Sequence, residues 1–308
     1  MKWTPGGESD QIEDRRGEGG GDGGGGGGLG GFGGGGGGFR FPVPVHMGLG
    51  GTILVIVLYF VVRGFSGGGG GGSPAPTAPV TDRSPTAGQG IPAGQDPDRR
   101  LVEFVSFVVD DVQRTWAQKF EEMGKTYRKA HLVLFTDSTE SGCGQASSAM
   151  GPFYCPNDGK VYIDLSFYRE LVRRFGAPGD FAQAYVIAHE YGHHVQDLLG
   201  IEAKVRQAQE EHPQLQNALS VKLELQADCL AGVWANSTDQ RKLLEVGDVD
   251  EALGAAAAVG DDRLQQQAGR RVNPETFTHG SAAQRTAWFK RGFQGGTIAS
   301  CDTFSAAQ

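Results

Sequence analysis

Glycine dominates the first third of this chain and prevents that part from forming a packed core. Of the 51 glycines among 308 residues, 30 fall within the first 80 positions, and residues 1–98 hold 9 of the 14 prolines. Such a composition has too few apolar side chains to offset the entropy lost when a backbone is ordered. We therefore expect tail, anchor and linker before residue 99, and one globular domain over 99–308.

The charge balance excludes one large class of function. The formal net charge is −8 at pH 7, and no stretch of the chain concentrates lysine and arginine. Nucleic-acid binding requires clustered basic side chains that contact phosphates. We therefore expect no nucleic-acid partner.

One uncharged apolar run interrupts the glycine-rich part, from Met47 to Val62. A helix of these sixteen residues spans about 24 Å, somewhat less than a hydrocarbon core of about 30 Å, and neighbouring apolar residues can extend it. A cleaved signal peptide is the main rival, but the 46 residues ahead of the run are too long for a normal charged n-region. We predict a membrane helix at 47–65, behind a disordered tail at 1–46 and before a linker at 66–98.

The distribution of basic residues favours one orientation of this predicted helix. Four basic residues precede the run and only two follow it in the linker, which favours a cytoplasmic tail. The expected protein is therefore a single-pass membrane protein whose domain lies outside the cytoplasm.

All four cysteines lie after the apolar run, at Cys143, Cys155, Cys229 and Cys301. An even number is compatible with two disulfides in an oxidising compartment. Three pairings are possible, and one of them joins Cys143 to Cys155 and leaves Cys229 with Cys301. Four unpaired thiols in a cytosolic protein are the alternative.

Apolar periodicity within residues 99–308 predicts a mainly helical α+β domain. Residues 101–120 repeat apolar side chains at intervals of three or four, which is typical of an amphipathic helix. Residues 131–135 and 160–167 have the short apolar or alternating pattern of strands. A Pro-Gly-Asp sequence at 178–180 then precedes another helix, and Asp180 is a candidate N-cap.

This later helix contains the most specific motif of the chain, A-H-E-Y-G-H-H-V-Q at 188–196. His189 and His193 are four residues apart, so both imidazoles lie on one helix face and can share one Zn²⁺. Glu190 follows the first histidine and can act as the general base for a zinc-activated water. The apolar residues before the motif indicate a buried helix, in which these polar side chains require partners.

A second helical stretch, L-E-L-Q-A-D-C-L-A-G at 223–232, offers the remaining protein ligand. Catalytic zinc needs a third ligand and an open position for water. Glu224 and Asp228 share a helix face, which favours Glu224 as the third ligand and Asp228 as the carboxylate that orients a ligand histidine. Cys229 as the third ligand is the alternative, since thiolate also binds zinc.

These two motifs together resemble the predicted neutral zinc metallopeptidase family of bacterial envelope proteins, which is similar to the gluzincins. The resemblance extends to Y-C-P-N-D-G-K-V-Y-I-D at 154–164, G-D-D-R-L-Q at 260–265, C-D-T-F at 301–304 and, in the tail, E-D-R-R-G at 13–17. It implies a zincin-like (gluzincin) metallopeptidase domain behind an N-terminal anchor.

The segment V-N-P-E-T-F-T-H-G-S-A-A-Q-R at 272–285 resembles the region of related membrane-linked gluzincins in which a histidine and an arginine follow the glutamate ligand. The resemblance implies that His279 stabilises the oxyanion and that Arg285 pairs with a carboxylate of the site. His194 is about 100° from His193 around the helix. We expect it behind the site or in packing, outside the metal's ligand set.

The predicted function is a membrane-anchored zinc peptidase with one Zn²⁺ per chain, acting on a peptide or protein substrate. The strand at 160–167 could add an extended substrate to its free edge, with Val161 and Ile163 beside the cleft; an ordinary core strand is the alternative. The competing function is a membrane-tethered binding module, stabilised by zinc and without turnover, in which Glu190 would be dispensable. A peptidoglycan amide is a second possible substrate, but no glycan-binding repeat supports it.

Overall fold

The computed structural model describes residues 1–18, 91, 94–175 and 179–305 of the chain. Strands in these ranges are β1 (Ile12–Asp14), β2 (His131–Phe135), β3 (Ser138–Ser141), β4 (Gly144–Ser147), β5 (Phe153–Cys155) and β6 (Lys160–Asp164). Helices are α1 (Arg99–Glu122), α2 (Ser166–Phe175), α3 (Asp180–Leu198), α4 (Ile201–Glu211), α5 (Gln216–Gln240), α6 (Asp248–Ala258), α7 (Asp261–Gln267) and α8 (Ala282–Gly295). The predicted mainly helical α+β class is confirmed.

Helix α1 forms because its apolar residues recur with the helical period and all face the core. Val105, Val109, Val112 and Trp116 are fully buried. The same core contains residues of α3 and α5, so the three longest helices of the described chain pack around one apolar centre. Burial of this stripe, more than helix propensity, stabilises α1.

The main sheet has four strands in the order β1-β2-β6-β5. Strand β6 pairs in parallel with β2 and antiparallel with β5, so both of its edges are used. The expectation that a substrate adds to the free edge of β6 is therefore wrong, and Val161 and Ile163 are buried core residues. Strand β5 lies beyond β6, on the side of α3, and forms that edge of the sheet.

The structure also differs from the predicted tail over residues 1–18, which pack against the domain. Ile12, Glu13 and Asp14 form β1 and pair in parallel with residues 132–134 of β2. Residues 19–46, the predicted membrane helix at 47–65 and most of the linker at 66–98 lie outside the described residues. The helices that the structure does describe include none long and apolar enough to span a membrane.

Helix α5 approaches both α3 and α8 closely, and a glycine at each contact permits this. A Cβ atom at Gly192 of α3 would lie 3.0 Å from the carbonyl oxygen of Ala227 in α5. A Cβ atom at Gly292 of α8 would lie 1.8 Å from the carbonyl oxygen of Cys229. Since the candidate metal ligands lie on α3 and α5, the contact at Gly192 sets the distance between them.

Helix α3 begins one residue earlier than expected. Its N-cap is Gly179, with φ of 121°, so Asp180 is the first helical residue and not the N-cap. The backbone N–H of Phe181 donates instead to Glu251 of α6 at 3.1 Å.

Two disulfides hold the domain, Cys143–Cys155 and Cys229–Cys301. All four cysteines of the chain are therefore paired. Because Cys229 is in a disulfide, the alternative in which it replaces Glu224 as a metal ligand is wrong.

The two disulfides are predicted to differ in their effect on stability, because they close loops of different length. The cysteines are 72 residues apart in one disulfide and 12 in the other. Loop-closure entropy predicts a loss of about 4 kcal/mol in the free energy of unfolding for Cys229→Ala with Cys301→Ala, and about 3 kcal/mol for Cys143→Ala with Cys155→Ala. Urea unfolding of both double variants measures the difference, and equal or inverted losses would contradict the entropic explanation.

Candidate metal centre and active site

The two motif histidines and Glu224 meet in the core between α3 and α5. His189 Nε2 lies 3.2 Å from Glu224 Oε2, and His193 Nε2 lies 3.5 Å from Glu224 Oε1. One ligand atom from each residue lies within 4.8 Å of the others, and all three side chains are buried. The geometry thus brings together the three residues that the motifs predict as metal ligands.

The chemistry of this cluster fits a zinc ion. Two imidazole nitrogens and one carboxylate oxygen form a donor set that is typical of catalytic zinc. His193 Nε2 is buried and makes no hydrogen bond, so a strong donor atom is left for a ligand. Burial raises the pKa of Glu224, but the nearby histidines outweigh this effect and lower the pKa to about 2. The carboxylate is therefore ionised, as a metal ligand must be.

Asp228 orients the first of these histidines from behind. Its Oδ1 atom lies 2.9 Å from His189 Nδ1, so the imidazole presents Nε2 to the metal position. Arg285 of α8 donates Nε to Asp228 Oδ2 at 2.8 Å, and the Tyr185 hydroxyl also donates to Asp228. Asp228 is fully buried and Arg285 is nearly so. Each charge offsets the cost of burying the other.

Gln196 orients the second histidine in the same way, and this role of Gln196 was not predicted. Its Oε1 atom lies 2.8 Å from His193 Nδ1, and its amide nitrogen donates to the carbonyl oxygen of Leu223 at 2.7 Å. The chain offered a signal, since a polar Gln three residues after His193 lies on the same face of a buried helix. Both candidate ligand histidines therefore have an oxygen partner at Nδ1.

Glu190 lies beside the three candidate ligands but takes part in none of the contacts between them. Its carboxylate accepts a hydrogen bond from the backbone N–H of Tyr154 in β5, and Oε2 is buried without a hydrogen-bond partner. Burial raises the pKa of Glu190 to about 7, against the opposing effect of His189. Tyr168 of α2 is buried near Glu190, and its hydroxyl is likewise without a hydrogen-bond partner.

His279 lies in the loop before α8 and reaches the same site. It is close enough to lower the pKa of Glu224. Its Nδ1 atom lies 3.0 Å from Asp261 Oδ1, and the other oxygen of Asp261 accepts the backbone N–H groups of residues 278–280. Asp261 was not predicted as a site residue, although it belongs to the G-D-D-R-L-Q segment at 260–265. It fixes both the His279 ring and the loop that carries it.

His194 points away from the metal position, towards the sheet. Its Nε2 atom lies 2.7 Å from the carbonyl oxygen of Arg128, and Nδ1 lies 3.1 Å from the Tyr154 hydroxyl. Tyr154 donates in turn to Asp197 at 2.8 Å. His194 therefore supports the strand whose backbone holds Glu190 and is not among the candidate ligands.

A second group of acidic side chains, Asp180, Asp248 and Glu251, also lies close together. The amino nitrogen of Met1 lies 2.6 Å from Asp180 Oδ1 and 3.2 Å from Asp248 Oδ1. Glu251 accepts the N–H of Phe181. These contacts account for the three acids without a metal.

A buried His₂Glu cluster with an adjacent free carboxylate is an arrangement typical of hydrolytic zinc sites. The chain belongs to the family described as "putative neutral zinc metallopeptidase", which matches residues 1–304. The resemblance found in the motifs is thereby confirmed.

Relatives of the chain come from distant bacteria. YpfJ of Escherichia coli K12 is 50% identical over 305 residues, which cover 99% of each chain. Rv2575 of Mycobacterium tuberculosis H37Rv is 50% identical over 192 residues, which cover 59% of this chain and 64% of its own. Neither name states an activity. No solved structure matches the chain.

Proposed function

We propose that this protein is a zinc-dependent peptidase with a zincin-like (gluzincin) active site, one Zn²⁺ per chain, and a peptide or protein as its substrate. His189, His193 and Glu224 hold the metal. The observation that carries the proposal is Glu190, a buried carboxylate with a free oxygen beside the three ligands. A structural zinc site needs no such group, because its protein ligands close the coordination shell.

A zinc ion bound by these residues supplies Lewis-acid chemistry, acidifying water and polarising a carbonyl group. Glu190 accepts a proton from the attacking water at its free oxygen, and the Tyr154 N–H keeps the other part of the carboxylate in place. The same glutamate then delivers the proton to the leaving amine. Hydrolysis by this route forms no covalent link between substrate and protein.

His279 provides a hydrogen-bond donor for the oxyanion that develops on the scissile carbonyl. Asp261 holds Nδ1, which leaves Nε2 to face the site. A fixed donor in a buried site stabilises developing charge at little reorganisation cost. Arg285 has a supporting role, because its guanidinium is engaged by Asp228 and Tyr185.

Strand β5 provides an edge for an extended substrate backbone. Among the described strands β5 pairs on one side only, with β6, and Tyr154 in the middle of β5 directs its N–H to Glu190. A peptide that pairs along this edge would place its backbone beside the general base. Pairing of this kind gives affinity without demanding particular side chains.

The two disulfides support an oxidising compartment for the domain. We therefore propose an extracytoplasmic location in the bacterial envelope, with the apolar run at 47–62 as the membrane-binding segment.

The experiment that tests the function uses the full-length chain. Elemental analysis gives the zinc content per chain, and hydrolysis of several unfolded proteins is followed before and after removal of zinc by a chelator. We expect one zinc per chain, hydrolysis that stops on chelation, and recovery when zinc is restored. One zinc without hydrolysis would favour the binding module, and chains without zinc would refute the metal site.

Asp261→Asn is predicted to lower kcat by about 10²- to 10³-fold, the size of effect seen when one oxyanion donor is lost. The substitution keeps the shape of the side chain but weakens its hold on His279. Zinc content should stay at the wild-type value because Asp261 contacts no proposed ligand. An equal loss in His279→Gln and in the double variant would show that the two residues act as one unit.

A further inference from the structure

The segment at residues 1–18 belongs to the domain as much as any helix does. Strand β1 lies on the parallel edge of β2, with Ile12 opposite Leu132 and Asp14 opposite Leu134. The pairing continues beyond the strand, because the backbone N–H of Arg15 donates to the carbonyl oxygen of Leu134 at 2.7 Å. The edge of β2 is thus covered by the chain itself.

The E-D-R-R motif at 13–16, which the proposed active site does not use, makes the polar contacts of this docking. Glu13 accepts from Lys160 of β6 at 2.7 Å. Arg15 donates to the carbonyl oxygen of Glu140 at 2.9 Å. Each of these contacts joins the segment to a part of the chain more than a hundred residues away.

Arg16 is the centre of this arrangement. Its guanidinium is buried and makes paired hydrogen bonds to both Asp14 and Asp96, the shortest to each being 2.7 Å and 2.6 Å. Burial of a guanidinium is tolerated only when such partners are present. Because Asp96 lies just before α1, this side chain ties the end of the N-terminal segment to the start of the helical domain.

Apolar contacts secure the other end of the segment. Met1 is buried in the core, and the Trp3 ring lies 5.4 Å from that of Phe104 in α1, edge to face. The backbone N–H of Lys2 donates to the carbonyl oxygen of Leu243 at 2.7 Å. The segment is therefore held to the domain at both ends.

These contacts have a topological consequence. Arg16 and Asp96 are in contact at the domain, and the apolar run at 47–62 lies between them in the sequence. A chain that crosses a membrane once continues on the opposite side. A docked N-terminal segment and a single crossing by this run are mutually exclusive.

We infer that residues 1–18 dock on the edge of β2 in the same chain, and that this segment and the domain lie on the same side of the membrane. A single membrane crossing between these two parts of the chain is then excluded. This replaces the expected cytoplasmic tail. The inference does not depend on the proposed activity, and its tests do not measure hydrolysis.

Docking is tested by cross-linking in the full-length chain. Ser9 Oγ lies 2.6 Å from Asp110 Oδ1 of α1, and the native cysteines are all in disulfides. Ser9→Cys with Asp110→Cys should therefore react with a short bismaleimide to give one product at the mass of a single chain. A product at twice that mass, or no product, would overturn the inference.

Charge reversal checks that the cross-link reports the docking described above. Adding Arg16→Glu should lower the yield at least about tenfold, because it places a third carboxylate against Asp14 and Asp96. Lys290→Glu makes the same change of charge at an exposed position and should leave the yield unchanged. Equal yields in both variants would contradict the role of Arg16.

Sidedness is tested by labelling intact cells that produce the full-length protein. Thr4→Cys and Ala203→Cys each place one free thiol at an exposed position, in the N-terminal segment and in α4. A membrane-impermeant maleimide should label both variants or neither before lysis, and both after lysis. Labelling of one variant alone before lysis would place the two parts on opposite sides and overturn the inference.

Discussion

Replacing Glu190 by glutamine is expected to leave zinc bound and to lower kcat for peptide hydrolysis by about 10²- to 10⁴-fold, the usual contribution of a general base. The amide keeps the size of the side chain and can still accept the hydrogen bond from the Tyr154 N–H. It has no basic oxygen for the proton of the attacking water. Elemental analysis and steady-state kinetics of the full-length variant measure both expectations.

The control for this variant makes the same chemical change elsewhere. Glu210 lies exposed on α4, so Glu210→Gln should match the wild type in zinc content and in kcat. Undiminished hydrolysis by Glu190→Gln would remove this residue from the reaction. Loss of zinc from the same variant would instead give Glu190 a structural role, contrary to its position outside the ligand pairs.

Asp228→Ala is expected to have the largest combined effect on stability and on metal binding. The substitution leaves the Arg285 guanidinium buried without its carboxylate, which costs about 3–5 kcal/mol in the free energy of unfolding. It also frees His189 Nδ1, and loss of such an orienting partner lowers metal affinity by about 10- to 100-fold. Urea unfolding and competition with a zinc indicator measure the two effects separately.

Two further variants separate the charge of Asp228 from its place in the helix. Asp239 lies exposed on the same helix, and Asp239→Ala should change neither property. Adding Arg285→Ala to Asp228→Ala should recover part of the lost stability, since no buried charge is then unpaired. It should recover none of the zinc affinity. Additive losses of stability in the double variant would contradict the pairing.

The parts of the site that the sequence revealed are those set by local geometry. His189, Glu190 and His193 follow from one helical turn, and the pair Glu224 and Asp228 follows from another. Two such turns, each with apolar neighbours, were sufficient to predict the three candidate ligands that the structure brings together.

The parts that the sequence did not reveal depend on contacts between distant segments. The hydrogen bond between Asp261 and His279 joins the first residue of α7 to the loop before α8, and no periodic pattern in the sequence indicates that these two segments meet. The strand predicted at 160–167 was recognised but ends at Asp164, and its neighbours were not predicted, because alternation shows which residues face the core and says nothing of sheet order. Strand β1 has only three residues beside a glycine-rich stretch, and its edge partner lies far along the chain.

The position of β1 also determines when the sheet can be completed during synthesis. Ile12 pairs with Leu132, so its partner emerges 120 residues later. At about 5–20 residues per second, this is roughly 6–24 s of translation, during which the segment has no edge to join. The segment that is synthesised first is thus among the last to fold. The rate of translation sets how long the residues of β1 stay unpaired.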